Sequence, residues 1–164
     1  MFKEDGVLKE SEIILPPEEI LKKGKTVVIE CVEHIPCNPC ETSCPKSAIT
    51  VGSNICDLPS INYEKCSGCT LCVAICPGLA VFVVDKYSTD DESDLILPYE
   101  LSSVPAEGEI VVTLDRAGEI VGRGRVIKIA EFKIMHKRKI ITLRIPRTDL
   151  NRVRHFRATG KGEK

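Results

Sequence analysis

Apolar residues in this chain come in short runs set between turn residues, a pattern that predicts mostly strands. Strands are predicted over Thr26–Val32, Ala48–Val51, Ser60–Tyr63 and Ala80–Val84. A polar, acidic stretch from Asp85 to Asp94, rich in Ser and Asp, then interrupts the pattern and reads as a linker over residues 87–94. Beyond it the apolar run Glu109–Leu114 is followed by a turn at Asp115–Gly118 and a second strand over Glu119–Ile129. A basic loop at His136–Lys139 leads into Ile140–Ile145. Gly122 and Gly124 predict a bulge or sharp bend, as at the corners of small barrels. Helices are few. Pro16–Gly24 combines early proline, then acids, late lysines and a closing glycine, the marks of one short capped helix. A second helix is expected over Asp149–Phe156, capped by Thr148 or Asp149. The chain thus divides into an N-terminal arm with a short helix (1–25), a region at 26–86, the acidic linker (87–94) and a β-rich part at 95–164. That last part reads as a bent sheet or half-barrel ending in a helix.

Charge sharpens this division. Residues 1–122 hold 9 Lys/Arg against 21 Asp/Glu, a balance of −12, whereas residues 123–164 hold 14 against 3, a balance of +11. The simplest consequence is that basic tail and acidic body neutralise one another. A basic docking face for an acidic partner ranks second. Nucleic acid ranks last, because Phe132 and Phe156 are the only aromatics in the basic part and base stacking has little support. No apolar stretch approaches the length of a membrane span, and the start, Met1-Phe2-Lys3-Glu4-Asp5, has no signal-peptide character. A cytoplasmic location is expected. At 164 residues the chain is large enough for one or two small domains.

The chemistry lies in nine cysteines. Cys66, Cys69, Cys72 and Cys76, followed by Pro77, form an unbroken C-x2-C-x2-C-x3-C-P run. Stepping back 32 residues from Cys69, Cys72, Cys76 and Pro77 lands on Cys37, Cys40, Cys44 and Pro45. The match extends further, since Pro45-x-x-Ala48-Ile49 mirrors Pro77-x-x-Ala80-Val81, so the segment is an internal repeat. The repeat partner of Cys66 is His34. A disulfide framework belongs to small secreted chains and suits neither the odd cysteine count nor the polar start. A zinc ribbon at Cys37, Cys40, Cys66 and Cys69 would leave Cys44, Cys72, Cys76 and both following prolines without purpose.

On these motifs, residues 26–86 resemble a bacterial-type ferredoxin domain carrying two [4Fe-4S] clusters, an α+β fold. In that pattern three thiolates of each run hold one cluster and the fourth reaches across to the other. The resemblance assigns Cys66, Cys69, Cys72 and Cys44 to the second cluster, and Cys37, Cys40 and Cys76 to the first. Three residues compete for the open position: Cys31 (favoured, because thiolate is the usual ligand), Cys56 in the connection between repeats, and the in-register His34. Clusters also act as staples for a core with only seven aromatics and no Trp. Ser67-Gly68 can offer N–H groups to the second cluster, whereas Pro36 and Pro39 cannot donate to the first, so the first is expected at the lower potential.

The stretches Val28–Cys40 and Cys76–Asp85 look like the small ferredoxin-type subunits of multi-subunit, FAD-dependent dehydrogenases. Such enzymes oxidise amino acids of the proline or hydroxyproline kind, or related amines. The resemblance implies a non-catalytic electron-transfer subunit in a hetero-oligomer, with FAD on larger partner subunits rather than on this chain. Two other readings stand beside it: a stand-alone ferredoxin carrier, and a redox-sensing or structural iron–sulfur module.

Overall fold

The computed structural model describes residues 6–132 and 138–158. The basic loop expected at His136–Lys139 therefore lies partly outside the described residues, as do the first five residues of the arm.

Most of the chain is one antiparallel sheet. Its strands are β1 (Thr26–Ile29), β4 (Val81–Asp85), β5 (Glu92–Tyr99), β6 (Ile110–Leu114), β7 (Ile120–Ala130), β8 (Lys139–Pro146) and β9 (His155–Arg157). Their order is β1-β4-β5-β8-β7-β6-β9. A two-stranded sheet of β2 (Ile49–Thr50) and β3 (Ser60–Ile61) stands apart. Helices are short: α1 (Glu18–Leu21), α2 (Pro39–Thr42) and α3 (Leu71–Ile75). Among the described residues, no helix is long and apolar enough to cross a membrane.

The large sheet buries one face along its length and, at β1, β4, β5 and the start of β8, the other face as well, and strand alternation sorts its residues between them. Val28, Phe82, Val84, Leu95, Leu97, Tyr99, Ile141, Leu143 and Ile145 face one core, closed by Val111, Val126 and Phe156. Their alternates Val27, Val81, Val83, Ile96 and Ile140 face a second core with Cys72, Val73, Ala74 and Cys76. Burial on both sides explains the unbroken apolar run of β4, which a one-sided strand would not need. The second core fixes α3, and with it two cysteines, directly onto the sheet.

Two expectations are corrected. The acidic stretch 87–94 is not a free linker: β5 begins inside it, at Glu92, and pairs with β4 through Asp85 opposite Asp94. Its polar residues are satisfied, because Ser93 donates to the Lys86 carbonyl (2.6 Å) and Asp94 receives a two-pronged bond from Arg144 (2.8 and 3.0 Å). Nor is there a helix over Asp149–Phe156. A 3-10 turn at Arg147–Asp149 leads into β9, which pairs with the free edge of β6 while Phe156 stacks on Tyr99 at 4.9 Å. Edge pairing and aromatic burial outweigh local helix preference.

A bulge appears beside Gly122, as the glycines suggested, while Gly124 stays in register. Val121 is skipped between Thr113 opposite Gly122 and Leu114 opposite Ile120, and a second irregularity falls between Val126 and Lys128. At Gly124 a Cβ would stand 2.9 Å from Ile145 Cγ2 and 3.0 Å from Leu143 Cγ, so only glycine lets β7 cross the core so closely. The sheet bends until its ends meet. Glu30, just after β1, accepts from Arg154 Nε (2.5 Å), just before β9, and from Arg116 Nε and Nη2 (2.8 and 2.7 Å).

Candidate metal centre

The sequence repeat is also a backbone repeat. α2 and α3 begin at corresponding positions, and each is followed by a Cys-Pro turn containing a non-glycine residue at positive φ: Ser47 at 48° and Leu79 at 53°. In both turns the next amide points back at the cysteine sulfur, Ala48 N to Cys44 Sγ at 3.3 Å and Ala80 N to Cys76 Sγ at 3.4 Å. The left-handed residue is what aims that N–H, at a conformational cost of about 1–2 kcal/mol.

Strand pairing then exchanges the two turns. β1 pairs with β4 and β2 with β3, so the end of each repeat lies against the beginning of the other. Cys76 is carried to Cys31, Cys37 and Cys40, and these four line one hollow with Ile29, Pro39 and Val81. Burial pushes the Cys40 thiol up to about 11, with Cys76, Cys37 and Cys31 adding to the rise against a backbone N–H of Glu41. Cys31 is raised by burial and by Cys76 and Cys37. On the other side, burial, with Cys69, Cys66 and Cys44 adding to it, pushes Cys72 up to about 12 against a backbone N–H of Val73. Cys44 behaves differently. Burial works to raise it, but backbone N–H groups of Ala48, Lys46, Ile49 and Ser47 outweigh burial and lower it.

Two groups of four thiols therefore act on one another: Cys31, Cys37, Cys40 and Cys76 in one, and Cys44, Cys66, Cys69 and Cys72 in the other. Four thiolates crowded together repel, so each set is stable in its deprotonated form only around a positively charged core. Among the described residues no three His, Cys, Asp or Glu side chains converge as the ligands of one ion would. A larger polynuclear core, ligated at separate corners, is the group whose chemistry fits such spread sets of sulfur donors. His34 and Cys56 line neither side of the Cys31 hollow; exposed His34 instead donates through Nδ1 to the Cys56 carbonyl at 3.1 Å.

Other residues support the turns. Gly68 adopts φ +63° against Lys25, and its missing side chain makes room for this neighbouring backbone. Arg138 reaches from the start of β8 to the carbonyls of Ala74 (3.1 Å) and Cys76 (2.9 Å). Sequence reasoning missed it, since nothing local marks an arginine whose acceptors lie more than sixty residues upstream.

Residues 59–82 match the family model described as a 4Fe-4S binding domain, which takes in Cys66, Cys69, Cys72 and Cys76. This segment is an iron–sulfur domain of the ferredoxin type. Among curated proteins, a subunit of the ion-translocating oxidoreductase complex of Methanosarcina acetivorans is 47% identical over 60 residues, covering 36% of this chain and 22% of that protein. The isethionate sulfite-lyase activating enzyme of Desulfovibrio desulfuricans is 35% identical over 57 residues, covering 34% of this chain and 18% of that one. The chain thus spans about a fifth of the length of these curated relatives. No solved structure matches it. The family match covers residues 59–82, and the strands outside it must be understood from their own residues.

Proposed function

We propose that the chain binds two [4Fe-4S] clusters and serves as the electron-transfer subunit of an oxidoreductase complex. Cys44, Cys66, Cys69 and Cys72 hold one cluster; Cys31, Cys37, Cys40 and Cys76 hold the other. A bound [4Fe-4S] cluster supplies reversible one-electron chemistry. The observation that carries this reading is the division of eight of the nine cysteines into two mutually acting sets. In each set the cysteines of one repeat are completed by the last cysteine of the other.

The partner in this reading is a larger FAD-binding dehydrogenase subunit that oxidises amino acids of the proline or hydroxyproline kind, or related amines. It rests on the resemblance of residues 28–40 and 76–85 to the small subunits of such enzymes. A subunit role also has support in the relative from Methanosarcina acetivorans, whose name describes part of an oxidoreductase complex. Around the Cys31 hollow, Ile35 and Ile55 remain about half exposed (52% and 49%), and Cys37 N donates to the Ile55 carbonyl at 3.2 Å. Apolar side chains at the rim of a redox site suit contact with another protein.

The test is the native mass, visible spectrum and iron content of the protein isolated anaerobically from its own host. A particle far above 18.1 kDa with flavin absorbance and about eight irons for each copy of this chain is expected. A lone particle near 18.1 kDa without flavin would replace this reading with that of a free carrier. Cys40→Ser and Cys72→Ser should each remove about half the iron. Cys31→Ser should do the same, while Cys56→Ser and His34→Ala should leave it in place; loss with Cys56→Ser alone would overturn the Cys31 assignment.

A further inference from the structure

We infer that Arg138 is a positioning residue for Cys76, and that the Arg138–Glu100 pair sets the reduction potential of the cluster held by Cys31, Cys37, Cys40 and Cys76. The inference rests on the two-cluster reading above. One Arg138 nitrogen, Nη1, donates to both the Ala74 and Cys76 carbonyls, at 3.1 and 2.9 Å, where α3 ends and the Cys-Pro turn begins. Its Nε donates to Glu100 Oε1 at 2.6 Å. The arginine is mostly buried (19% exposed) and the carboxylate is not (45%), so the positive end of the pair faces the Cys76 turn and the negative end faces solvent.

The repeat provides an internal comparison. Each cysteine carbonyl accepts from its own turn, Cys44 from Ser47 N at 3.1 Å and Cys76 from Leu79 N at 3.4 Å, but among the described residues no arginine reaches the carbonyls of Thr42 and Cys44, which correspond to Ala74 and Cys76. The electropositive contact is thus peculiar to one of two otherwise equivalent turns, and it comes from the part of the chain outside the repeat. Reduction adds one negative charge, which a nearby, poorly solvated guanidinium favours and a carboxylate opposes. Arg138 should therefore raise the potential of one cluster and leave the other unchanged. A helix-capping role alone would alter stability without giving the two partners opposite electrochemical effects.

Potentiometric titration of the anaerobic, iron-loaded full chain, followed by EPR, tests this. Arg138→Gln should shift one midpoint downward, the one that Cys40→Ser displaces or abolishes. Arg138→Lys should retain most of the wild-type value, and Glu100→Gln should shift the same midpoint upward. If Arg138→Gln fails to load iron, Glu100→Gln carries the test, because its side chain lies at the surface. Unchanged midpoints in fully loaded Arg138→Gln, or in Glu100→Gln where Arg138→Gln does not load, or equal shifts in both clusters, would overturn the inference while leaving the two-cluster reading intact. A wild-type protein with a single cluster indifferent to Cys40→Ser would overturn both.

Discussion

At Gly68 the backbone runs so close to Lys25 that a Cβ would stand 2.5 Å from Lys25 Cβ and 2.8 Å from its carbonyl oxygen. Gly68→Ala should therefore cost about 2–5 kcal/mol, the sum of left-handed strain and overpacking, read by denaturant titration of the anaerobic protein. The sulfur environments carry a second prediction. Cys44 receives N–H groups from Ala48, Lys46, Ile49 and Ser47, whereas in the other set Cys31, Cys40 and Cys76 receive them from Glu33, Glu41 and Ala80 in turn. Donors to sulfur favour the reduced state, so the Cys44 set should titrate at the higher of two potentials, with Arg138 narrowing the gap. Two coincident midpoints would contradict this order. At this scale the cysteines were legible in the sequence because ligation imposes fixed local spacing. Glu30, Arg116 and Arg138 were not, because each gains its meaning from a partner distant along the chain.

Among the elements, β5 and β9 were the hardest to read. Glu92, Ser93 and Asp94 have the composition of a loop, yet Ser93 and Asp94 are buried because their polar groups bond to Lys86 and Arg144. Composition reports the cost of burying polar groups but not the partners that offset it. The junction of β1 and β9 is the sharpest case. Burial pushes the Glu30 carboxyl up, but Arg116 and Arg154 outweigh it and hold it below its ordinary value of 4.5. Its stabilisation is complete above the unfolded-state value and is lost as pH falls through the depressed folded one. Wild-type stability should thus fall through the acidic range more steeply than that of Glu30→Gln. That variant should lose about 3–5 kcal/mol near neutral pH, because two arginines are left facing an amide. Denaturant midpoints across a pH series check both statements.

For the molecule as a whole, part of the charge asymmetry resolves inward. Arg138, Arg144 and Arg154, from the basic part, pair with Glu100, Asp94 and Glu30 of the acidic part. The iron–sulfur segment and the β-rich part share β4, which belongs to the repeat and packs into both cores. Cluster absorbance and far-UV dichroism should therefore disappear together in denaturant, with one midpoint; two separated transitions would show that the halves melt independently. The Glu30 junction has a consequence for how such a chain is made. Arg154 lies 124 residues after Glu30, which is the immediate neighbour of Cys31. Until residue 154 has cleared the ribosome, the segment carrying Cys31 has Arg116 at Glu30 but lacks the second, more deeply buried arginine that completes the anchor. Metallation of that site is therefore expected to be a late event, and a translation product cut short before Arg154 should take iron at the Cys31 site less readily than at the Cys44 site.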